Sequence, residues 1–271
     1  MIQLPPAWFV GCGNMPGALI EGWRKADVDF SNAFAIRPSG APVDGVRTVT
    51  DLPDGPSPMR CVLGFKPQKL DEIAPRLAPR LSEETVVLSM LAGVEAATLR
   101  ALFPKVKAVL RIMPNLPVSE RQGVTALYST DVEDEHRERI KFLFGLLGLA
   151  VWTESEAEFG AIGALAGAGP AYVARFVAAL ASAGVERGLE PDASARIALQ
   201  TVLGTATLAT ARGEDMASLA RRVASPKGTT EAGLAVLDEG DALEQLIART
   251  LEAAARRSAE LAAEARQSAR G

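Results

Sequence analysis

The segment Trp8-Phe9-Val10-Gly11-Cys12-Gly13-Asn14-Met15-Pro16-Gly17 decides the fold that we expect. Its three apolar residues predict a buried strand, the Gly-x-Gly predicts a tight turn, and the spacing from Asn14 predicts a helix as far as Lys25. Glycines at such a turn let backbone N–H groups approach the pyrophosphate of a dinucleotide at the helix N-terminus. Pro16 stands at the third glycine position, where the first turn of a helix tolerates proline. We therefore predict a dinucleotide site here, with a strand-helix turn that binds no ligand as the alternative.

Short apolar runs alternate with polar helical stretches through the first part of the chain. The candidate strands are residues 7–10, 33–37, 47–50, 61–65, 85–90, 109–113, 124–128 and 149–153. This alternation is typical of a parallel sheet with helices on both faces. We therefore predict an α/β fold in which residues 1–153 form an NADP-binding domain of the Rossmann type.

The residue pattern changes after Thr153, and from Glu154 onward the strand-like runs disappear. The remaining chain is rich in Ala, Leu and Gly at helical spacing, with Val173, Phe176 and Leu180 on one face and a last helix predicted over 242–269. Successive Ala-rich faces exceed what a unit of about 120 residues buries alone. We predict residues 154–271 as an all-helical dimerisation domain, with a plain helical bundle as the alternative.

Composition argues against several kinds of partner and site. The net charge of −4 gives nothing to attract nucleic acid, and no run approaches the ~20 apolar residues of a membrane span. Cys12 and Cys61 form no Cys-x-x-Cys pair, so we expect no metal site and a reducing, cytoplasmic setting. The first residues lack the basic and apolar regions of a signal peptide. The single histidine, His136, lies in a polar stretch and is expected at the surface.

The end of the second main strand, Ile36-Arg37-Pro38-Ser39, indicates which cofactor is used. Sites specific for NAD place Asp or Glu there to bind the ribose 2′-hydroxyl. Arg37 and Ser39 suit a 2′-phosphate instead. The segment favours NADPH, with NADH possible, and the alternative is a surface arginine that ends a strand.

Several segments occur in order along nearly the whole chain and together resemble one family. They are Gly11-Cys12-Gly13-Asn14-Met15, Phe65-Lys66-Pro67-Gln68, Leu91-Ala92-Gly93-Val94, Arg111-Ile112-Met113-Pro114-Asn115, Gly167-Ala168-Gly169-Pro170-Ala171-Tyr172 and Ser225-Pro226-Lys227-Gly228-Thr229-Thr230. The sequence thereby resembles the pyrroline-5-carboxylate reductases, which reduce a cyclic imine carboxylate to proline. Lys227 and Ala168 depart from the Gly and Ser of the family pattern.

The resemblance implies a Rossmann-type domain, a helical domain that builds an interlocked homodimer, and NADPH-dependent reduction of 1-pyrroline-5-carboxylate to L-proline. The cofactor contacts that it implies are Gly11, Gly13, Asn14, Met15, Lys66, Pro67, Ala92 and Gly93. The substrate contacts that it implies are Gly228, Thr229 and Thr230.

The chemistry of a cyclic imine carboxylate fits the segment before a helix predicted over 231–237. Backbone N–H groups at a helix N-terminus bind a carboxylate, and Gly228 permits close approach. We assign the Thr230 hydroxyl as hydrogen-bond donor or proton route to the ring nitrogen. For the Lys227 ammonium there are two hypotheses, an added attraction for the carboxylate or a direction toward solvent. An iminium already carries charge, so no strong base is required. The alternative is that Thr229 or Thr230 only caps the helix.

Other activities remain open from the sequence. One is a reductase of a different cyclic imine carboxylate, and another is a nucleotide-binding regulatory protein without turnover. A β-hydroxyacid dehydrogenase shares the two-domain plan, but its catalytic lysine is missing after Gly167-Ala168-Gly169.

Overall fold

The computed structural model describes residues 2–268, apart from the side chains of residues 258, 261, 262 and 264–268. The strands are β1 (Ile2–Gln3), β2 (Ala7–Val10), β3 (Val28–Asp29), β4 (Ala33–Ile36), β5 (Arg47–Val49), β6 (Arg60–Leu63), β7 (Val86–Ser89), β8 (Ala108–Pro114), β9 (Gly123–Tyr128) and β10 (Gly148–Trp152). The helices are α1 (Asn14–Lys25), α2 (Leu70–Leu77), α3 (Ala96–Leu102), α4 (Asp134–Gly145), α5 (Glu156–Ile162), α6 (Gly169–Glu186), α7 (Pro191–Arg212), α8 (Met216–Val223), α9 (Thr229–Asp238) and α10 (Ala242–Ser268). The end predicted for the last helix, residue 269, lies outside the described residues.

The main sheet has the strand order β10-β9-β8-β7-β6-β2-β4-β5. The six neighbouring strands β8, β7, β6, β2, β4 and β5 run parallel, which confirms the predicted Rossmann-type sheet. Strand β9 is antiparallel to β8, and β10 follows the direction of β9, which the prediction of a parallel sheet did not foresee. The link between β8 and β9, residues 115–122, is shorter than the dozen or so residues that a parallel crossover needs. The pair β1 and β3, two residues each, is too short to show a periodicity in the sequence.

Both faces of the sheet are covered by helices. On one face, Phe9 of β2 belongs to a buried cluster with Trp23 of α1 and Phe144 of α4. On the other face, Trp8 of the same strand joins a cluster with Leu77 of α2. Strand β2 has β4 on one side and β6 on the other, so the chain connections diverge at its carboxyl end. In open α/β sheets, this switch point creates the crevice in which ligands bind.

The region after β10 is helical throughout the described residues, as predicted. Contacts between Cα atoms separate Gly169–Ala253 from the residues up to Ala168 together with those from Ala254 onward. Within the helical unit, α6 and α7 pack closely, because Gly184 leaves room for Ser194, whose Oγ donates to the Ala181 carbonyl at 2.7 Å. The domain boundary after residue 153 stays a prediction.

One helical stretch, Glu156–Glu186, is long and apolar enough to cross a membrane by length and composition. No such stretch was predicted from the sequence, because its apolar character comes from Ala, Gly and Val rather than from a block of large residues. Core helices of soluble proteins meet the same criterion, so a single stretch is weak support for a membrane span.

Candidate functional site

The turn after β2 is closely packed against the turn after β6. Gly11 has a φ of +77°, and a Cβ added there would lie 2.8 Å from the Cβ of Phe65. A Cβ added at Gly64 would lie 2.4 Å from the Gly11 carbonyl oxygen and 2.4 Å from Cγ of Pro16. Pro16 is accommodated at the third glycine position of the motif because Gly64, directly after β6, provides the close packing instead.

The N-terminus of α1 is open to a ligand. Gly13 is its N-cap residue, no side chain caps the first turn, and no acidic residue lies in it. A Cβ added at Gly13 would meet no protein atom within 4 Å. The unpaired N–H groups of a first helical turn attract anions, so this cradle fits the pyrophosphate of a dinucleotide.

A cavity of about 990 Å³ lies over the carboxyl ends of the parallel strands. Its volume is at the upper end of the ~300–1,000 Å³ of small-molecule and cofactor sites. Ile36 and Thr50, at the ends of β4 and β5, line one end of the cavity, while Met90, directly after β7, and Arg111, within β8, line the other. In this fold, the first end corresponds to the adenosine half of a dinucleotide and the second to the nicotinamide half.

Most of the predicted cofactor residues line this one cavity. They are Gly11, Gly13, Asn14, Met15, Lys66, Pro67 and Ala92. Gly93 is outside the lining and forms the turn after Ala92 with a φ of +75°. The fold thus brings together residues that the sequence places in three separate segments.

The two residues predicted to bind a 2′-phosphate are directed elsewhere. Nη1 of Arg37 donates to the carbonyl of Ala41 at 3.1 Å, and Oγ of Ser39 accepts the N–H of Ala41 at 3.3 Å. Arg37 lines a second, more open depression of about 840 Å³ that shares Gly13 and Asn14 with the main cavity. Their role in binding a phosphate stays a prediction.

The nicotinamide end of the cavity contains residues to which the sequence analysis gave no role. Arg111 and Phe159 line it, and Nη1 of Arg111 donates to Oε2 of Glu156. Burial lowers the pKa of the Arg111 guanidinium, although the carboxylate of Glu156 counteracts this effect. The presence of an arginine within the apolar run Val109-Leu110-Arg111-Ile112-Met113 is the sequence signal that could have identified this residue.

At the adenosine end, Asp51 and Arg76 both line the cavity and form an exposed ion pair, with Nη2 3.0 Å from Oδ1. Neither residue was predicted, because Asp51 follows a three-residue strand and Arg76 lies in a short helix.

The two cysteines and the histidine offer no nucleophile or metal site. Burial raises the pKa of the Cys12 thiol to about 11, although Arg37 counteracts the effect, and burial also raises the pKa of Cys61. His136 is partly exposed, with Nδ1 3.6 Å from Glu133. Among residues 2–268, no group of His, Cys, Asp or Glu side chains is arranged to hold a metal ion.

The predicted substrate segment begins a helix in the helical unit. Helix α9 begins at Thr229, two residues before the predicted start, and Gly228 is its N-cap without any side-chain cap. Thr229 and Thr230 are exposed in its first turn, and neither side chain caps the helix, so the capping alternative is not what is found. Lys227 has a left-handed φ of +59°, and its N–H donates to Oε2 of Glu231 at 2.6 Å.

Gly228 has a packing role beside the predicted one. A Cβ added at Gly228 would lie 2.3 Å from Oγ of Ser225 and 2.9 Å from its carbonyl oxygen. A glycine is required there by the loop itself, whether or not a ligand approaches it.

The glycine turn, the uncapped helix and the crevice at the switch point define a dinucleotide-binding protein of the Rossmann class. A relative from Pseudomonas aeruginosa named pyrroline-5-carboxylate reductase is 35% identical over 269 residues, which cover 96% of this chain and 98% of the relative. The chain therefore belongs to the pyrroline-5-carboxylate reductase family.

Further comparisons agree with this assignment. The sequence model of the family described as pyrroline-5-carboxylate reductase dimerisation matches residues 156–261. A relative from Synechocystis, also named pyrroline-5-carboxylate reductase, is 39% identical over 74% of each chain. The solved structure of a pyrroline-5-carboxylate reductase from Coxiella burnetii superposes with a TM-score of 0.87 at 31% identity, covering 95% of this chain and 98% of the other. A Plasmodium falciparum pyrroline carboxylate reductase with NADP bound shares the fold, with a TM-score of 0.82 over 97% of this chain and all of the other at 23% identity.

Proposed function

We propose that the protein reduces the C=N bond of 1-pyrroline-5-carboxylate with NADPH to give L-proline, the last step of proline biosynthesis. The observation that carries the proposal is that a single cavity is lined by residues from four separate family motifs, including Gly13, Lys66, Ala92 and Arg111. The similarity to the Pseudomonas aeruginosa enzyme along nearly the whole chain supports the same reaction.

The cofactor half of the site follows from the Rossmann-type unit. The N–H groups at the start of α1 bind the pyrophosphate, and Gly13 lets it approach. The Lys66 ammonium, exposed beside the cavity, adds a positive charge near the phosphates. When bound, the reduced nicotinamide supplies the hydride.

The substrate half is assigned to the start of α9. The N–H groups of Gly228, Thr229 and Thr230 bind the carboxylate, because a first helical turn leaves such donors unpaired. The hydride goes to the imine carbon and a proton goes to the ring nitrogen. The exposed hydroxyl of Thr230 donates the hydrogen bond that holds this nitrogen and gives the proton its route.

Arg37 supports the preference for NADPH over NADH. It directly follows β4, where an NAD-specific site would have an acidic residue. Its present hydrogen bonds go to loop carbonyls of Ala41 and Pro42. A 2′-phosphate would replace these neutral acceptors by a charged one, which gives the stronger hydrogen bond.

The helical unit supports a homodimer. Its large apolar side chains are exposed in the single chain, among them Val173 (51%), Phe176 (51%) and Leu203 (57%). Monomeric proteins rarely leave such contiguous apolar surface uncovered.

The two free, buried cysteines are consistent with a reducing, cytoplasmic setting.

The assignment of Thr230 is tested by two variants. Thr230→Val keeps the shape and removes the hydroxyl, and we expect kcat to fall about 100-fold, the lower range for lost proton transfer. Thr230→Ser keeps the hydroxyl and should retain most of the activity. Proline formation, followed by chromatography alongside NADPH oxidation, is the measurement. Equal activity of the Val variant and the unmodified enzyme would remove Thr230 from the mechanism.

A further inference from the structure

Arg111 is a charged residue inside the apolar strand β8. It lies beside Ser89 of β7 and Tyr128 of β9 in the strand register, and only 11% of its side chain is exposed. Burying an arginine costs free energy unless partners compensate for the lost hydration. Because Arg111 lies at the nicotinamide end of the cavity, a ligand bound there would supply part of this compensation.

The side chain of Arg111 is held by two partners. Nη1 donates to Oε2 of Glu156, and Cζ lies 4.3 Å from the centroid of the Phe159 ring. Glu156 is itself fixed, because its Oε1 accepts the N–H of Ala96 at 2.9 Å. The guanidinium plane is therefore positioned before any ligand arrives, as binding groups in enzymes are.

Donors of Arg111 remain available to a ligand. A guanidinium has five N–H donors, and within residues 2–268 the one side-chain hydrogen bond of Arg111 is that of Nη1 to Glu156. No buried side-chain nitrogen or oxygen in this range lacks a hydrogen-bond partner. The other guanidinium nitrogens are therefore not sealed in the protein, and the residue lines the cavity.

We propose that Arg111 donates a hydrogen bond to the carboxamide oxygen of the nicotinamide and so orients the ring that delivers the hydride. The carboxamide is the polar substituent of the nicotinamide ring, and it is neutral. A neutral acceptor leaves the ion pair with Glu156 intact, whereas a substrate carboxylate would compete with Glu156 for the same charge. The inference rests on the nicotinamide cofactor of the proposed function.

The test compares two ligands and two arginines. Arg111→Lys keeps the charge and loses the planar fork. Arg137→Lys is the matched control, because Arg137 also lies over an aromatic ring, with Cζ 4.9 Å from the Trp152 centroid, and is 3.6 Å from Glu154. Arg137 is not among the residues that line the cavity. Titration calorimetry gives the Kd for NADPH and for 2′-phosphoadenosine diphosphoribose, which lacks the nicotinamide.

Arg111→Lys should weaken NADPH about tenfold, the value of one charge-assisted hydrogen bond, and leave the fragment within about twofold. Arg137→Lys should change neither Kd. Equal weakening of both ligands by Arg111→Lys, or of neither, overturns the proposal, as does an unchanged NADPH Kd with a raised KM for the imine. If Arg111→Lys does not fold, Glu156→Gln, which loosens the hold on the guanidinium, must show the same selective loss.

The two proposals fail in different ways. Selective loss of NADPH affinity without any turnover of 1-pyrroline-5-carboxylate would keep the role of Arg111 and refute the proposed reaction. An unmodified enzyme that binds no NADPH refutes both.

Discussion

An alanine at Gly13 would add a methyl group to the open space in front of α1, where no protein atom lies within 4 Å. We expect Gly13→Ala to lower the free energy of unfolding by less than about 1 kcal/mol, the usual effect at an N-cap. Its affinity for NADPH should fall about tenfold or more, because the methyl group occupies the place of the pyrophosphate. Calorimetry and thermal unfolding give the two quantities.

Gly64→Ala is the contrasting control. Its new Cβ would lie 2.4 Å from the backbone oxygen of Gly11, so the free energy of unfolding should fall by about 1–3 kcal/mol. If Gly13→Ala bound NADPH as tightly as the unmodified protein, the pyrophosphate could not lie at this turn.

Lys227 stands where the family pattern has glycine, and its backbone is left-handed. Lys227→Gly should relieve ~1 kcal/mol of strain, part of which is offset by the greater freedom of glycine in the unfolded chain. If the ammonium attracts the substrate carboxylate, the KM for the imine should rise about two- to fivefold, as expected for a partly screened charge. Steady-state kinetics at low and high salt measure this effect.

Lys227→Arg provides the matched control, because it keeps the positive charge. A KM that is the same for the Gly variant and the unmodified enzyme would mean that the ammonium points to solvent.

Residue types were easier to predict than side-chain directions. The sequence locates Arg37 directly after β4, but the loop carbonyls of Ala41 and Pro42 decide where its guanidinium points. Arg111 stood within a recognised motif, yet its role depends on Glu156, which is 45 residues away in sequence. Long-range partners of this kind leave no local pattern.

At the scale of elements, Asp131 links α3 to the sheet. Its Oδ2 accepts from Nη2 of Arg100 at 2.5 Å and from the N–H of Val109 at 3.2 Å. Burial raises the pKa of Asp131, but the hydrogen bonds from Arg100 and Val109 outweigh it and hold the pKa below the ordinary value of 3.8. A lowered carboxyl pKa stabilises the fold above the ordinary value and loses that effect as the pH falls through the folded value.

We therefore expect Asp131→Asn to lower the free energy of unfolding at pH 7 by about 1–3 kcal/mol. The difference from the unmodified protein should shrink once the pH drops below about 4. Denaturant titrations between pH 7 and pH 3 test this. Glu135→Gln, in an exposed pair with Arg139, should change stability by less than about 1 kcal/mol. A pH-independent loss for Asp131→Asn would show that its charge is not the cause.

The elements with a clear local pattern were predicted closely. Strand β2 and helix α1 agree with the prediction residue for residue, because a buried strand, a glycine turn and an amphipathic helix each have their own periodicity. The reversal of β9 was not predicted, because direction depends on the length of the link and not on the apolar pattern.

For the whole molecule, the exposed apolar face of α6 predicts self-association. Phe176→Asp places a charge among Val173 and Leu180, which are 51% and 42% exposed, and burying an unpaired charge in an interface is costly. We expect this variant to have a mass near that of one chain, 28.5 kDa, in light scattering. Phe142→Asp, at a residue 62% exposed in the Rossmann-type unit, should keep the mass of the unmodified protein. A Phe176→Asp variant that also keeps that mass would place the interface elsewhere.

The most direct test of the central claim is the steady-state oxidation of NADPH with 1-pyrroline-5-carboxylate, repeated with NADH and with Arg37→Ala. We predict rapid, saturable oxidation that yields proline, a higher kcat/KM with NADPH than with NADH, and a smaller ratio between the two in the variant. Tight binding of NADPH without oxidation would contradict the account, and would favour a different cyclic imine or a nucleotide-binding regulator without turnover.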